Sequence, residues 1–98
     1  MIIVAILTVR RSELAAFRQF ESIATRVMSE HGGRLERTVV VDDGTGELLT
    51  EIHLIRFADP AAFAGYRESS ELSAHLQLRD RSVVKTELFF GEDGPKYL

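Results

Sequence analysis

The chain has 98 residues, 45% of them hydrophobic, which suffices for a single domain spanning residues 1–98 with a core of its own. A net charge of -3 argues against the clustered positive charge of a nucleic-acid footprint, and the absence of cysteine excludes disulfides and thiol chemistry. The apolar N-terminal run is far shorter than the ~20 residues that cross a bilayer, and it has no basic leader; a cytoplasmic protein without a membrane or nucleic-acid partner is expected.

Ile2 to Val9 is apolar at odd and even positions alike apart from Thr8, the pattern of a central strand buried on both faces. A long amphipathic helix follows from Glu13 to His31, with Ser12 placed to cap it. Leu14, Phe17, Phe20, Ile23, Ala24, Val27 and Met28 form its inner stripe, while Arg18, Glu21, Thr25, Arg26 and Glu30 read as its outer face. Gly32-Gly33 supplies the left-handed cap that ends it, and His31 beside that end suits the helix dipole. Arg34 to Val41 and Leu48 to Phe57 read as a hairpin reversed by the acidic, glycine-bearing turn Asp42 to Gly46. Asp59-Pro60 opens a second helical stretch, broken at Ser69-Ser70 and resumed from Glu71 to Arg79. Ser82 to Gly91 is the last strand, and the polar tail to Leu98 is pinned, on this reading, by Tyr97 and Leu98.

The order strand-helix-strand-strand-helix-strand, with right-handed crossovers, puts the first and third strands in the middle and both helices on one face. The other face keeps about half of the central strands' apolar side chains. Leaving it wet would expose several hundred Å², more than monomers usually tolerate. A second copy packed sheet to sheet, a twofold homodimer sharing a barrel-like core, is the economical solution.

That layout, together with Phe57-Ala58-Asp59-Pro60-Ala61-Ala62-Phe63-Ala64-Gly65-Tyr66-Arg67 leading into Glu71-Leu72 and Arg79, resembles the dimeric α/β-barrel superfamily. The group includes small antibiotic-biosynthesis-type monooxygenases and muconolactone-isomerase-like proteins. Thr86-Glu87-Leu88-Phe89-Phe90-Gly91-Glu92 is similar to the end of the DUF1330-like branch. The resemblance implies an α+β, ferredoxin-like βαββαβ fold: a four-stranded antiparallel sheet with two helices on one face, paired into a dimeric α/β barrel. It also implies oxygen insertion or isomerisation on a small hydrophobic or aromatic molecule, without a cofactor.

His53 is the leading candidate for chemistry, because a histidine on a central strand among apolar residues can act as acid, base or ligand. Strand alternation sets Glu51, His53, Ile55 and Phe57 on one face and Thr50, Ile52, Leu54 and Arg56 on the other, so Glu51 can orient the ring. Arg56 is a candidate for an anionic substrate, or for an ion pair with Glu36 or Glu87. Tyr66 joins Glu51 and Arg56 as a substrate-binding candidate, its bland alternative being an aromatic at the core edge. His75 and Arg79, one helical turn apart, are both placed to face the strand ends. No metal site is expected: His31, His53 and His75 belong to different elements, with no paired ligand spacing. Phosphate loops and a Gly-x-Ser-x-Gly elbow are absent too. Three readings stay open: a cofactor-independent enzyme using His53, a binder of a small hydrophobic ligand, or a structural dimer without a pocket.

Overall fold

Strand β1, Ile2–Arg10, buries Ile3, Ala5, Leu7 and Val9 on one side and leaves Ile2, Val4, Ile6 and Thr8 partly open on the other. Its place in the sheet explains that pattern. In the computed structural model, which describes residues 1–97, the strand order is β2-β3-β1-β4, with β2 spanning Arg34–Val41, β3 Leu48–Arg56 and β4 Val83–Gly91. All neighbours are antiparallel. Along β3 the register sets His53 opposite Ala5 and Glu51 opposite Leu7, so these side chains share one face with the β1 core residues. The expected four-stranded antiparallel sheet, with the first and third strands central, is what forms.

A single 3-10 turn, Arg11–Glu13, leads into helix α1, Leu14–Glu30. Ser12 lies inside that turn, and the helix starts without a side-chain cap, so the expected Ser12 cap is not made. Glu13 instead accepts from the Arg81 guanidinium at 2.9 Å. The helix ends as expected: Gly32 has φ 73°, and the Gly33 N–H donates to the Met28 carbonyl at 2.9 Å. A Cβ on Gly33 would lie 2.4 Å from the Phe57 ring, so the second glycine lets the chain pass close to the core.

The second helical stretch is divided into α2 (Pro60–Arg67), α3 (Ser70–Ala74) and α4 (Leu76–Ser82). Asp59 caps α2 by accepting from the Ala62 N–H, and Ser69 caps α3 from the Leu72 N–H. Ser82 closes α4 rather than opening the last strand: it is fully buried, and its hydroxyl donates to the Leu78 carbonyl at 2.7 Å. In the hairpin turn, Asp42 accepts both the Gly44 N–H and the Arg11 fork. The tail is held by Asp93 on Arg56 and by Glu92 near the N-terminal amine, whereas Tyr97 is 92% exposed and pins nothing. Leu98, the other expected pin, lies outside the described residues. No helix among the described residues is long and apolar enough to cross a membrane.

All helices cover the face bearing Ile3, Ala5, Leu7 and Val9, where Phe17, Phe20, Val27 and Phe57 complete the core. The opposite face carries no layer. Val39 (38% exposed), Val41 (54%), Leu54 (37%) and Phe89 (53%) stand on it together with Val4, Ile6 and Ile52.

Candidate functional site

The small Ala5 lies between His53 on β3 and Leu88 on β4, and so leaves room above the middle of the sheet. That room is a cavity of about 350 Å³ between sheet and helices. Ile3, Ala5, Leu7 and Leu88 floor it, Phe20 and Met28 of α1 wall one side, and Phe63, Leu72 and Leu76 wall the other. Six polar side chains open onto this apolar lining: Glu21, His53, Tyr66, Arg67, Arg79 and Thr86. A mostly apolar cavity of this size with a few convergent polar groups is the usual form of a small-molecule site.

At its floor runs a chain of charged groups. Arg18 on α1 donates from Nη1 to Glu51 Oε2 at 2.5 Å, and the other oxygen of Glu51 meets His53 Nε2 at 2.8 Å. Glu51 and His53 are 2% and 4% exposed, whereas the Arg18 side chain keeps about half its surface in water. Beyond the ring, His53 Nδ1 stands 3.9 Å from Glu21 Oε2, too far for a direct hydrogen bond.

The hydrogen-bond partners assign the tautomer of a neutral ring. Glu51, already paired with Arg18, accepts, so Nε2 carries the proton and Nδ1 carries the lone pair. No fully buried side-chain nitrogen or oxygen among the described residues lacks a hydrogen-bond partner, so Nδ1, which makes no bond, is open to the cavity. A carboxylate behind a histidine, fixing its tautomer and the direction of the ring, is the arrangement that makes imidazole a directed base.

Glu21 faces that base. Burial raises its carboxyl above the ordinary 4.5, with Glu51 adding to the rise and His53, Arg79 and Arg18 opposing it. Tyr66 also lines the cavity, and burial, reinforced by Glu21, pushes its phenol up to about 12. It is therefore a hydrogen-bond donor throughout the neutral range. Its ring packs at 5.6 Å on Phe57 and 6.2 Å on Phe63, which fixes the side chain.

The sequence candidates are thus partly assembled. His53 and Tyr66 line one cavity, and Glu51 lies behind His53 without lining it. Arg56 is not brought to them: on the opposite face it is bound by Glu36 and by Asp93 at 2.9 Å, the ion pair foreseen as its alternative role. His75 sits at the break between α3 and α4 and does not line the cavity, while Arg79 does.

Glu21 corrects the expected outer face of α1, whereas Arg18 stays exposed on it and reaches Glu51 with its guanidinium. Glu21 falls four residues after Phe17 and three before Ala24, so its helical position was within the buried stripe all along. That spacing was the available signal, and its charge masked it. For Thr86 no comparable signal existed. Among the described residues, no group of three or more His, Cys, Asp or Glu is placed to hold a metal ion.

No family model matches the chain, and no curated protein matches it in sequence. Solved structures do match in shape. SnoaB, a cofactor-independent oxygenase from Streptomyces nogalater, shares 12% identity at a TM-score of 0.65, over 95% of this chain and 94% of that one. A putative antibiotic biosynthesis monooxygenase from Bacteroides thetaiotaomicron shares 15% identity at 0.72, over 100% and 92%. An uncharacterized NIPSNAP domain protein from Burkholderia xenovorans shares 14% at 0.64, over 94% of each chain. At such identities the likeness is one of fold. It bears out the ferredoxin-like α+β architecture and the expected resemblance to antibiotic-biosynthesis-monooxygenase-like proteins.

Proposed function

We propose that the chain binds a small apolar molecule in the cavity over Ala5 and moves a proton on it, with His53 Nδ1 as base and Glu21 as its acidic counterpart. The observation that carries the reading is the Arg18–Glu51–His53 chain, which ends in an unbonded ring nitrogen opposite a carboxyl group that burial keeps toward its protonated form. Maintaining charged groups in a small core is costly unless they are satisfied; here both oxygens of Glu51 are, and His53 Nδ1 on the cavity side is the one atom left unbonded.

The step balances within the site. His53 takes a proton from a carbon beside a carbonyl, and the electron pair moves onto the carbonyl oxygen. Glu21 or the Tyr66 hydroxyl donates a hydrogen bond to that oxygen. Returning the proton at another carbon gives an isomer; addition of the same electron-rich carbon to dioxygen forms a carbon–oxygen bond, and the proton held on His53 passes to the distal oxygen to give a hydroperoxide. Similarity to a cofactor-independent oxygenase supports the second branch and needs no resident cofactor. The two share the deprotonation.

The test uses 2-tetralone, an apolar bicyclic ketone with acidic C–H bonds, in deuterated buffer. Proton NMR should show its α-protons exchanging faster with the protein than without, and His53→Gln should return the rate to background. Equal rates for the wild type and H53Q would contradict the assignment.

The uncovered sheet face supports a second proposal: a homodimer in which another copy covers Val39, Leu54 and Phe89. The protein is then a cytoplasmic homodimer with one cavity in each protomer. Sedimentation equilibrium at micromolar concentration should give twice the chain mass. A stable monomer would remove the dimer and leave the cavity chemistry untouched.

A further inference from the structure

We infer that the ligand of this cavity is an apolar acid, with Arg79 and Arg67 holding its carboxylate. The inference rests on the reading of the cavity as a ligand site and names the class of molecule it takes.

Among the described residues, the carboxylates that pair with arginines engage Arg11, Arg18, Arg26, Arg34, Arg56 or Arg81. Arg10 and Arg37 lack such a partner but are exposed at the margins of the sheet, and Arg67, also without one, is exposed at the rim of the cavity. Arg79 is different: it is half-buried, lines the cavity, and has no carboxylate on its guanidinium. Its Nη2 donates to Thr86 Oγ1 at 2.6 Å, which fixes the plane of the fork and leaves its remaining N–H groups free.

Glu21 acts on Arg79 only from a distance, so the guanidinium is drawn from water without a directly paired counter-charge, which is unfavourable, and its planar fork matches a carboxylate in two parallel hydrogen bonds. Arg67 lines the same cavity, its Cζ 5.6 Å from the centre of the Phe63 ring, and adds a second positive charge. Both guanidiniums line the cavity together with Tyr66.

The sheet fixes the length of the molecule. Thr86 is opposite Leu7 on β1, and Leu7 is opposite Glu51 on β3; one pleat further along, Leu88, Ala5 and His53 form the neighbouring row. Thr86 and His53 therefore stand two strand spacings apart across the sheet and one pleat apart along it, about 12 Å in all. A ligand whose carboxylate sits on Arg79 carries its apolar body over Ala5 and presents its far end to His53. A fused bicyclic acid spans that distance.

The experiment compares two probes of one shape, 2-naphthoate and the uncharged 2-naphthamide, titrated into the full chain and followed by backbone-amide and side-chain methyl NMR. The wild type should bind 2-naphthoate about tenfold to a hundredfold more tightly, the range of one charge-assisted hydrogen-bonded contact. Shifts should centre on Leu88, Thr86 and Tyr66. Arg79→Gln should weaken 2-naphthoate far more than 2-naphthamide and so remove the preference, and Arg79→Lys should restore part of it.

Equal affinity of the wild type for both probes would overturn the inference while leaving a ligand cavity in place. Equal weakening of both by R79Q would do the same, since Arg79 would then only tie α4 to β4. If neither probe moved a cavity resonance, the ligand-site reading would fall as well. The wild-type comparison stands even if the variants do not fold.

Discussion

Replacing Glu51 with alanine strips the support from the proposed base, and the structure sets the size of the effect. Glu51 is 2% exposed and serves two donors, Arg18 and the His53 ring. Removing one member of a buried pair typically costs about 3–5 kcal/mol. That full figure does not apply here, because the Arg18 side chain is 47% exposed and recovers water when released. What remains is the His53 Nε2–H, left buried without an acceptor, at about 1–3 kcal/mol. An overall loss of about 2 kcal/mol is expected, which for a domain of this size lowers Tm by roughly 8–16 °C. Thermal and urea denaturation of E51A measure it. A double-mutant cycle with His53→Ala should show the two losses to be less than additive, since each removes the same hydrogen bond. Stability within about 0.5 kcal/mol of wild type, as for a surface change, would refute the argument that the chain of charges is buried and mutually dependent.

Gly33→Ala places a methyl 2.4 Å from the Phe57 ring and 2.8 Å from Met28, so about 1–3 kcal/mol of overpacking is expected in chemical denaturation; Gly32→Ala tests a different effect, backbone strain at φ 73° with open space around it. Burial raises the Glu21 carboxyl, so the folded state holds that proton more tightly than the unfolded chain. The associated stability is complete below the ordinary value of 4.5 and is lost as pH rises through the raised one. Glu21→Gln should therefore gain on the wild type between pH 4 and neutrality in denaturation midpoints, and parallel curves would count against a buried Glu21. Asp42 behaves oppositely: Arg11 and the Gly44 N–H hold its carboxyl at about 2, below the usual 3.8, so its contribution is present above 3.8 and fades as pH falls toward 2. Asp42→Asn should flatten that acid limb. Leu54→Glu, on the uncovered face, should shift sedimentation toward the chain mass without lowering the helix signal in circular dichroism.

Much of the fold was legible because single residues declared it. Alternation along Leu48 to Arg56 assigned His53 and Glu51 to one face, and the unbroken apolar run of β1 marked a central strand. Gly32-Gly33 and Asp59-Pro60 punctuated the helices as their backbone chemistry requires. The site was less legible. Arg18 and Glu21 are polar residues of a surface helix, and only the packing of α1 over β3 shows that their charges meet Glu51 and His53. Ser12 misled for a related reason: a local cap was overridden when the chain tightened into a 3-10 turn before the helix. Ser82 reads as the first residue of a strand until α4 draws its hydroxyl back onto the Leu78 carbonyl. The cavity depends on the absence of volume at Ala5, which acquires meaning only beside its neighbours Leu88 and His53.

The state of the His53 ring is the most direct test. Long-range proton–nitrogen NMR of the imidazole, at a pH where the ring is neutral, should show the proton on Nε2 and a bare Nδ1, and adding 2-tetralone should move the Nδ1 resonance. A proton on Nδ1, or a ring indifferent to the ketone while residues of the uncovered face respond, would contradict the account.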